Sequence, residues 1–160
     1  MNRVLLTFFT IILLKGCAVT DTRPWKTGEF EYEGFPLYLR VPDGLNYDEL
    51  SKSYTQLIDV TQILSEVKSN GLPEADYNKT LIDFDGFLVN YLERLGKGIT
   101  VLVETFGGKR SYYMYAKPEF EVFVLKQEIN KLYTQHRVEI ETNTDQSWSF
   151  IRQYANDWKF

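Results

Sequence analysis

Apolar and polar positions alternate most clearly across Ile99–Ala116, ITVLVETFGGKRSYYMYA. Alternation of this kind predicts two strands. Gly107-Gly108 between them supplies the positive φ angles of a two-residue hairpin turn. With that turn Phe106 pairs Lys109, Val103 faces Tyr112 and Val101 faces Met114. Ile99, Val101, Val103, Tyr112, Met114 and Ala116 then share one apolar face, because side chains alternate along a strand. Thr100, Leu102, Glu104, Ser111, Tyr113 and Tyr115 point the other way.

The flanking segments change period. Leu81, Phe84, Leu88, Leu92 and Leu95 recur at helical spacing, after a possible helix start at Pro73 and before a stop at Gly96 and Gly98. Pro118 opens a second such stretch, with Val122, Leu125, Ile129 and Leu132 on one stripe. Ile58, Val60 and Leu64 alternate imperfectly within Leu57–Val67, which predicts a strand. At Arg137–Thr142, Val138 and Ile140 alternate with Glu139 and Glu141, the pattern of a half-buried strand. FEYEGFPLYLRV, around Gly34, predicts an N-terminal hairpin, with Pro36 at an edge or near a strand start. Short helices are expected over Asp48–Thr55, capped by Asn46, and after Asp145, bearing Trp148, Ile151 and Tyr154.

From Leu57 to Thr142 the order is strand, helix, strand, strand, helix, strand. The predicted fold is therefore α+β: a ferredoxin-like split βαββαβ antiparallel sheet with two helices on one face, plus the N-terminal hairpin and a short C-terminal helix. The second sheet face is left either bare or covered by that hairpin or by the Trp148 helix.

The N-terminus adds a location. A short basic start, Met1–Arg3, precedes the apolar run Val4–Leu14, which has secretory-signal length. Leu14-Lys15-Gly16-Cys17 resembles a bacterial lipobox, with Lys15 departing from the small or aliphatic residue usual there. The expected organisation is a lipoprotein-type signal peptide at 1–16, a tether at 17–27 and one domain at 28–160. Cys17 would carry palmitate-type chains, each buried CH₂ adding about 0.8 kcal/mol of membrane affinity. The membrane is thus an expected partner through a lipid anchor. The expected location is the bacterial cell envelope, periplasm-facing, with Ala18 favouring the outer membrane.

Composition and charge mainly exclude. Hydrophobic residues make up 44% of the 160, enough for a sizeable core. The net charge is -4, and removal of residues 1–16 takes away only cations, Arg3 and Lys15. An acidic body without a Lys/Arg run is a poor match for phosphate backbones, so no nucleic acid partner is expected. A single cysteine excludes an intramolecular disulfide, and the single His136 excludes a Ser-His-Asp triad. No catalytic residue, cofactor or metal is expected.

Several smaller groups have readings of their own. Asp83 and Asp85 are too close along a helix to share a face, so Asp83 is expected in solvent and Asp85 as a cap or in a local pair. Gly107-Gly108-Lys109-Arg110 lacks the spacing of a phosphate loop, and Arg110 is expected to find a carboxylate. Leu102, Tyr113 and Tyr115, with Trp148, make the most suggestive group, because Tyr and Trp are favoured at protein interfaces. They point to a non-catalytic protein-binding or regulatory module with an unidentified protein partner. The alternatives are a hydrolase using carboxylates such as Glu104, Glu139 or Glu141, and a structural envelope component.

Four segments carry a family resemblance: GLP at Gly71–Pro73, LIDFDGFL at Leu81–Leu88, T-x-x-G-x-R-x-x-x-x-Y at Thr105–Tyr115, and D-x-x-W at Asp145–Trp148. Together they resemble a bacterial family of uncharacterised domains, a domain of unknown function. Its fold is similar to that of the regulator of ribonuclease activity B, an acidic ferredoxin-like protein that binds and inhibits a ribonuclease. The resemblance runs from about Trp25 to the C-terminus. It implies the ferredoxin-like fold and brings no catalytic residues.

Overall fold

The computed structural model describes residues 23–159. The expected signal peptide and Cys17 lie outside the described residues. Strands β1 (Trp25–Tyr32) and β2 (Phe35–Pro42) lead into a one-turn helix α1 (Tyr47–Leu50) and strand β3 (Gln56–Ile63). Helices α2 (Ala75–Thr80) and α3 (Ile82–Arg94) precede the hairpin β4 (Gly98–Phe106) and β5 (Lys109–Ala116). Helix α4 (Val122–Leu132), strand β6 (Arg137–Thr144) and helix α5 (Ser149–Trp158) complete the order. The first strand thus takes up Trp25–Thr27, residues expected in the tether.

The six strands form one sheet in the order β1-β2-β4-β5-β3-β6, every neighbouring pair antiparallel. The N-terminal hairpin is part of this sheet. β2 meets β4 over Tyr38–Arg40, and Pro36 lies outside that stretch, where its missing N–H breaks no ladder bond to β4.

The hairpin turn falls as expected, with Phe106 opposite Lys109 and Val103 opposite Tyr112. Beyond that the register shifts. Thr100 pairs Met114 and Leu102 pairs Tyr113, which leaves Val101 as a bulge. An extra residue reverses the facing of everything before it. The expected face therefore divides. Val103, Tyr112, Met114 and Ala116 pack against α3 and α4 with Ile58, Val60, Phe84, Leu88, Leu125 and Ile129. Ile99 and Val101 join the opposite side, with Leu37, Leu39, Leu102, Tyr115, Trp148 and Ile151. Helical layers lie on both faces: α3 and α4 on one, α1 and α5 on the other.

Two stripe residues depart from expectation. Leu95 and Leu132 are about half exposed, at 50% and 52%: Leu95 lies just past the end of α3 and Leu132 is the last residue of α4, where the helix runs out to solvent. Leu81, fully buried, sits at the break between α2 and α3, so the region predicted as one helix is two. Asn46 caps α1 as predicted, its Oδ1 accepting from the Glu49 amide at 3.1 Å. Among the described residues no helix is long and apolar enough to cross a membrane.

Candidate functional site: a cationic cleft beside the glycine turn

The Gly107-Gly108 turn holds φ values of 55° and 79°, and a second chain segment is fastened to it. The Gly108 amide donates to the Gly71 carbonyl at 2.8 Å, and the Leu64 amide donates to the Gly108 carbonyl at 2.9 Å. Gly71 has φ 81°, and a Cβ there would come within 3.0 Å of the Gly107 Cα. The Gly71-Leu72-Pro73 segment is thereby held against the end of the β4–β5 hairpin. Leu72, Pro73, Lys68 and the start of α2 form one wall of a cleft of about 500 Å³.

β2, β4 and β5 supply the other wall. Arg110 lies on the α3 side of β5. Its Nε donates to Thr105 Oγ1 at 3.0 Å and its Nη2 to Asn78 Oδ1 at 2.8 Å. Its Nη1 stands 3.9 Å from Asp85 Oδ1. Arg40, from β2, donates Nη2 to that same Asp85 oxygen and lies 5.7 Å from the centre of the Trp25 ring. The Tyr112 hydroxyl donates to Asp85 Oδ1 at 3.1 Å. Burial first, and then the Asp85 charge, push the Tyr112 phenol far above its ordinary pKa, so it stays a donor at any physiological pH.

One carboxylate therefore ties β2, β5 and α3 together. Asp85 pairs with an arginine 45 positions away rather than locally. The expected carboxylate near Arg110 is present, and Asp83 is exposed as expected. Three cations line the cleft, Arg40, Lys68 and Arg110, and no carboxylate does, with Thr27, Tyr38, Asn78 and Thr105 as the polar remainder. Asp85 behind the wall is the counter-charge, which leaves an excess of positive charge in an acidic chain. The sequence reading singled out Arg110 and Asp85 and missed Arg40, Lys68 and Asn78. Arg40 had a signal: it interrupts an otherwise apolar strand at a position that alternation places opposite Leu39 and Val41.

The residues expected on a partner-binding face have different surroundings. Leu102, Tyr115 and Trp148 are each 0% exposed, beneath α5. Tyr113 is half-buried against Phe150, with ring centres 4.6 Å apart. Asp145 positions the covering helix. Its Oδ1 accepts from the Ser149 amide at 2.9 Å, and its Oδ2 from the Phe150 amide at 3.0 Å and the Tyr115 hydroxyl at 2.6 Å. Of the two dispositions open to this sheet face, the covered one is found.

The carboxylates of the alternative reading are not brought together. Glu139 and Glu141 are exposed on β6, whereas Glu104 lies on β4, with β5 and β3 between. Three strand spacings separate those backbones by about 14 Å. A glycosidase pair requires roughly 5–9.5 Å. Burial raises the Glu104 pKa from its ordinary value, against a hydrogen bond donated by Tyr154. His136 stacks on Phe84 at 4.5 Å and meets Gln62 Nε2 through Nδ1 at 2.9 Å, and burial lowers its pKa.

Fold and cleft define the class: a mixed α+β domain whose six-stranded antiparallel sheet lies between helical layers, with a cationic cleft at one end. The chain belongs to the family of unknown function DUF695, whose model matches residues 24–155. No curated protein and no solved structure matches it.

Proposed function

We propose that this chain is a membrane-anchored, non-catalytic binding module of the bacterial cell envelope, and that its protein partner presents an acidic segment to the Arg40–Lys68–Arg110 cleft. One observation carries the reading: three cations and no carboxylate line a cleft in a chain of net charge -4. Opposite charge steers a partner to such a cleft and fixes its register. Leu72, Pro73 and Val103 add apolar wall, so the fitting segment carries apolar side chains beside its carboxylates.

The lipobox-like Leu14-Lys15-Gly16-Cys17 supports the anchor. The first strand begins at Trp25, close behind Cys17, which suits a domain working near the membrane surface. The order β6-β3-β5-β4, with α3 and α4 on one face, supports the ferredoxin-like reading and with it the similarity to the regulator of ribonuclease activity B. A shared fold does not bring that protein's target along.

The test is titration of the full chain with a peptide of alternating glutamates and leucines, against a peptide with glutamine in place of glutamate. Binding of the first alone, weakened about tenfold by Lys68→Glu and weakened again by salt, is expected. Equal binding of the two peptides, or indifference to Lys68→Glu and Arg40→Gln together, would overturn the reading. Fatty-acid labelling that survives Cys17→Ser would remove the anchor separately.

A further inference from the structure

A second cleft lies on the other side of the sheet, between the β1–β2 and β4–β5 turn ends and α5. Its volume is about 530 Å³, within the usual range for small ligands. Its walls are aromatic: Tyr32, Phe106, Tyr154 and Trp158. The rings are set at angles rather than stacked as a column. Tyr32 meets Phe106 at 5.4 Å and 69°, and Trp158 at 6.1 Å and 74°, while Tyr154 meets Trp158 at 6.3 Å and 40°. Leu37 and two carboxylates, Glu104 and Asp157, complete the lining, and no lysine or arginine is part of it.

We propose that this cleft binds a substituted ammonium cation, of the chemistry found in trimethylammonium compounds. An aromatic face carries negative electrostatic potential and attracts a weakly hydrated cation, more so where water is excluded. Glu104 and Asp157 add two carboxyl groups at the same place. A bare metal ion is a poorer fit, since no group of three or more His, Cys, Asp or Glu able to hold one exists among the described residues. Among the described residues no cation pairs with Glu104: burial raises its pKa, and its hydrogen-bond donor, Tyr154, is neutral. A bound cation supplies that charge without needing a directional hydrogen bond. The site faces away from the cationic cleft, because Glu104 and Phe106 alternate with Thr105 along β4, and it stands or falls independently of the acidic-segment reading.

Such a group occurs both as a free solute and as a lipid headgroup. The full chain would be titrated calorimetrically with choline, with 3,3-dimethylbutan-1-ol, its uncharged isostere, and with phosphatidylcholine vesicles set against phosphatidylglycerol vesicles. Choline binding at least about tenfold tighter than its isostere, weakened about tenfold by Glu104→Gln and more by Trp158→Ala, is the expected result. Preference for phosphatidylcholine vesicles that Glu104→Gln and Trp158→Ala abolish would assign the headgroup as source; choline binding without it would assign the free solute. Asp157→Asn, at an exposed position, serves where the other variants lose their circular dichroism signal. Equal binding of choline and its isostere, or no binding of either, would overturn the proposal.

Discussion

Tyr115 and Trp148 stack with ring centres 4.2 Å apart and an interplanar angle of 16°. The contact joins the sheet to the start of the C-terminal helix. It is fixed at both ends, since the Tyr115 hydroxyl reaches Asp145 and Trp148 Nε1 donates to the Tyr54 carbonyl at 2.5 Å. Trp148→Ala would remove the largest fully buried side chain of the fold and leave a cavity under α5. A loss of about 3–5 kcal/mol is expected, measured by denaturant unfolding. Retention of full stability would mean that α5 contributes little to holding this face.

Among the described residues Asp85 is the carboxylate that meets Arg40, Arg110 and the Tyr112 hydroxyl. Asp85→Asn keeps the volume and removes the charge. Two guanidiniums would then face each other with no counter-charge, and removal of one member of a buried pair is strongly unfavourable. The pair is partly exposed, with Asp85 at 16% and Arg40 at 35%, so a loss of about 2 kcal/mol is expected rather than the larger buried-pair figure. The same variant should bind acidic peptides more tightly, because the cleft gains a unit of positive charge. Weaker peptide binding by a folded Asp85→Asn protein would contradict the assignment of the cleft.

Much of this architecture is legible in one-dimensional patterns, and the exceptions have local causes. The β4–β5 turn, the α3 and α4 stripes and the outward Glu139 and Glu141 follow from period and from Gly107-Gly108. The bulge at Val101 does not, because Thr100-Val101-Leu102-Val103 reads equally well in either register and only packing against Leu88 and Trp148 separates the two. Thr100 shows the chosen one, its hydroxyl 3.5 Å from the Leu88 carbonyl. The cationic cleft was half legible. Arg110 and Asp85 stand in short segments that draw notice; Arg40 breaks an apolar strand but reaches them only through sheet pairing, and Lys68 only through a loop staple, which leaves no periodic trace.

That loop staple is testable at Gly71. Any side chain there must adopt a positive φ and push a Cβ to within 3.0 Å of the Gly107 backbone. Gly71→Ala is expected to lose about 1–3 kcal/mol, with the damage local. Amide exchange should quicken at Gly108 and Leu64, whose hydrogen bonds form the staple, and stay slow in α4. Uniform quickening across the sheet would show that the contact supports the whole fold instead of the cleft alone.

Asp59 gives the last prediction, through pH. Burial raises its pKa to about 6, the Thr61 hydroxyl works the other way, and Glu141 and Glu104 raise it further against Lys109. Those groups, with the Tyr113 phenol, are what face it across β3, β4, β5 and β6. An acid whose folded pKa lies above its unfolded value binds more protons in the folded state between the two. Stability contributed by this group therefore falls as pH rises from about 4 to about 6, and the deficit stays constant above that. Asp59→Asn keeps an acceptor for the Thr61 hydroxyl, which donates to Asp59 Oδ1 at 3.0 Å, and removes the charge. The variant should be more stable than the parent at pH 7.5, by about 1 kcal/mol once partial solvent screening is allowed for. The difference should close by about pH 4, where both side chains are neutral in the folded state. Thermal unfolding of the two proteins across that range reads the result directly, and a difference that persists unchanged at acid pH would assign the effect to packing instead of to charge.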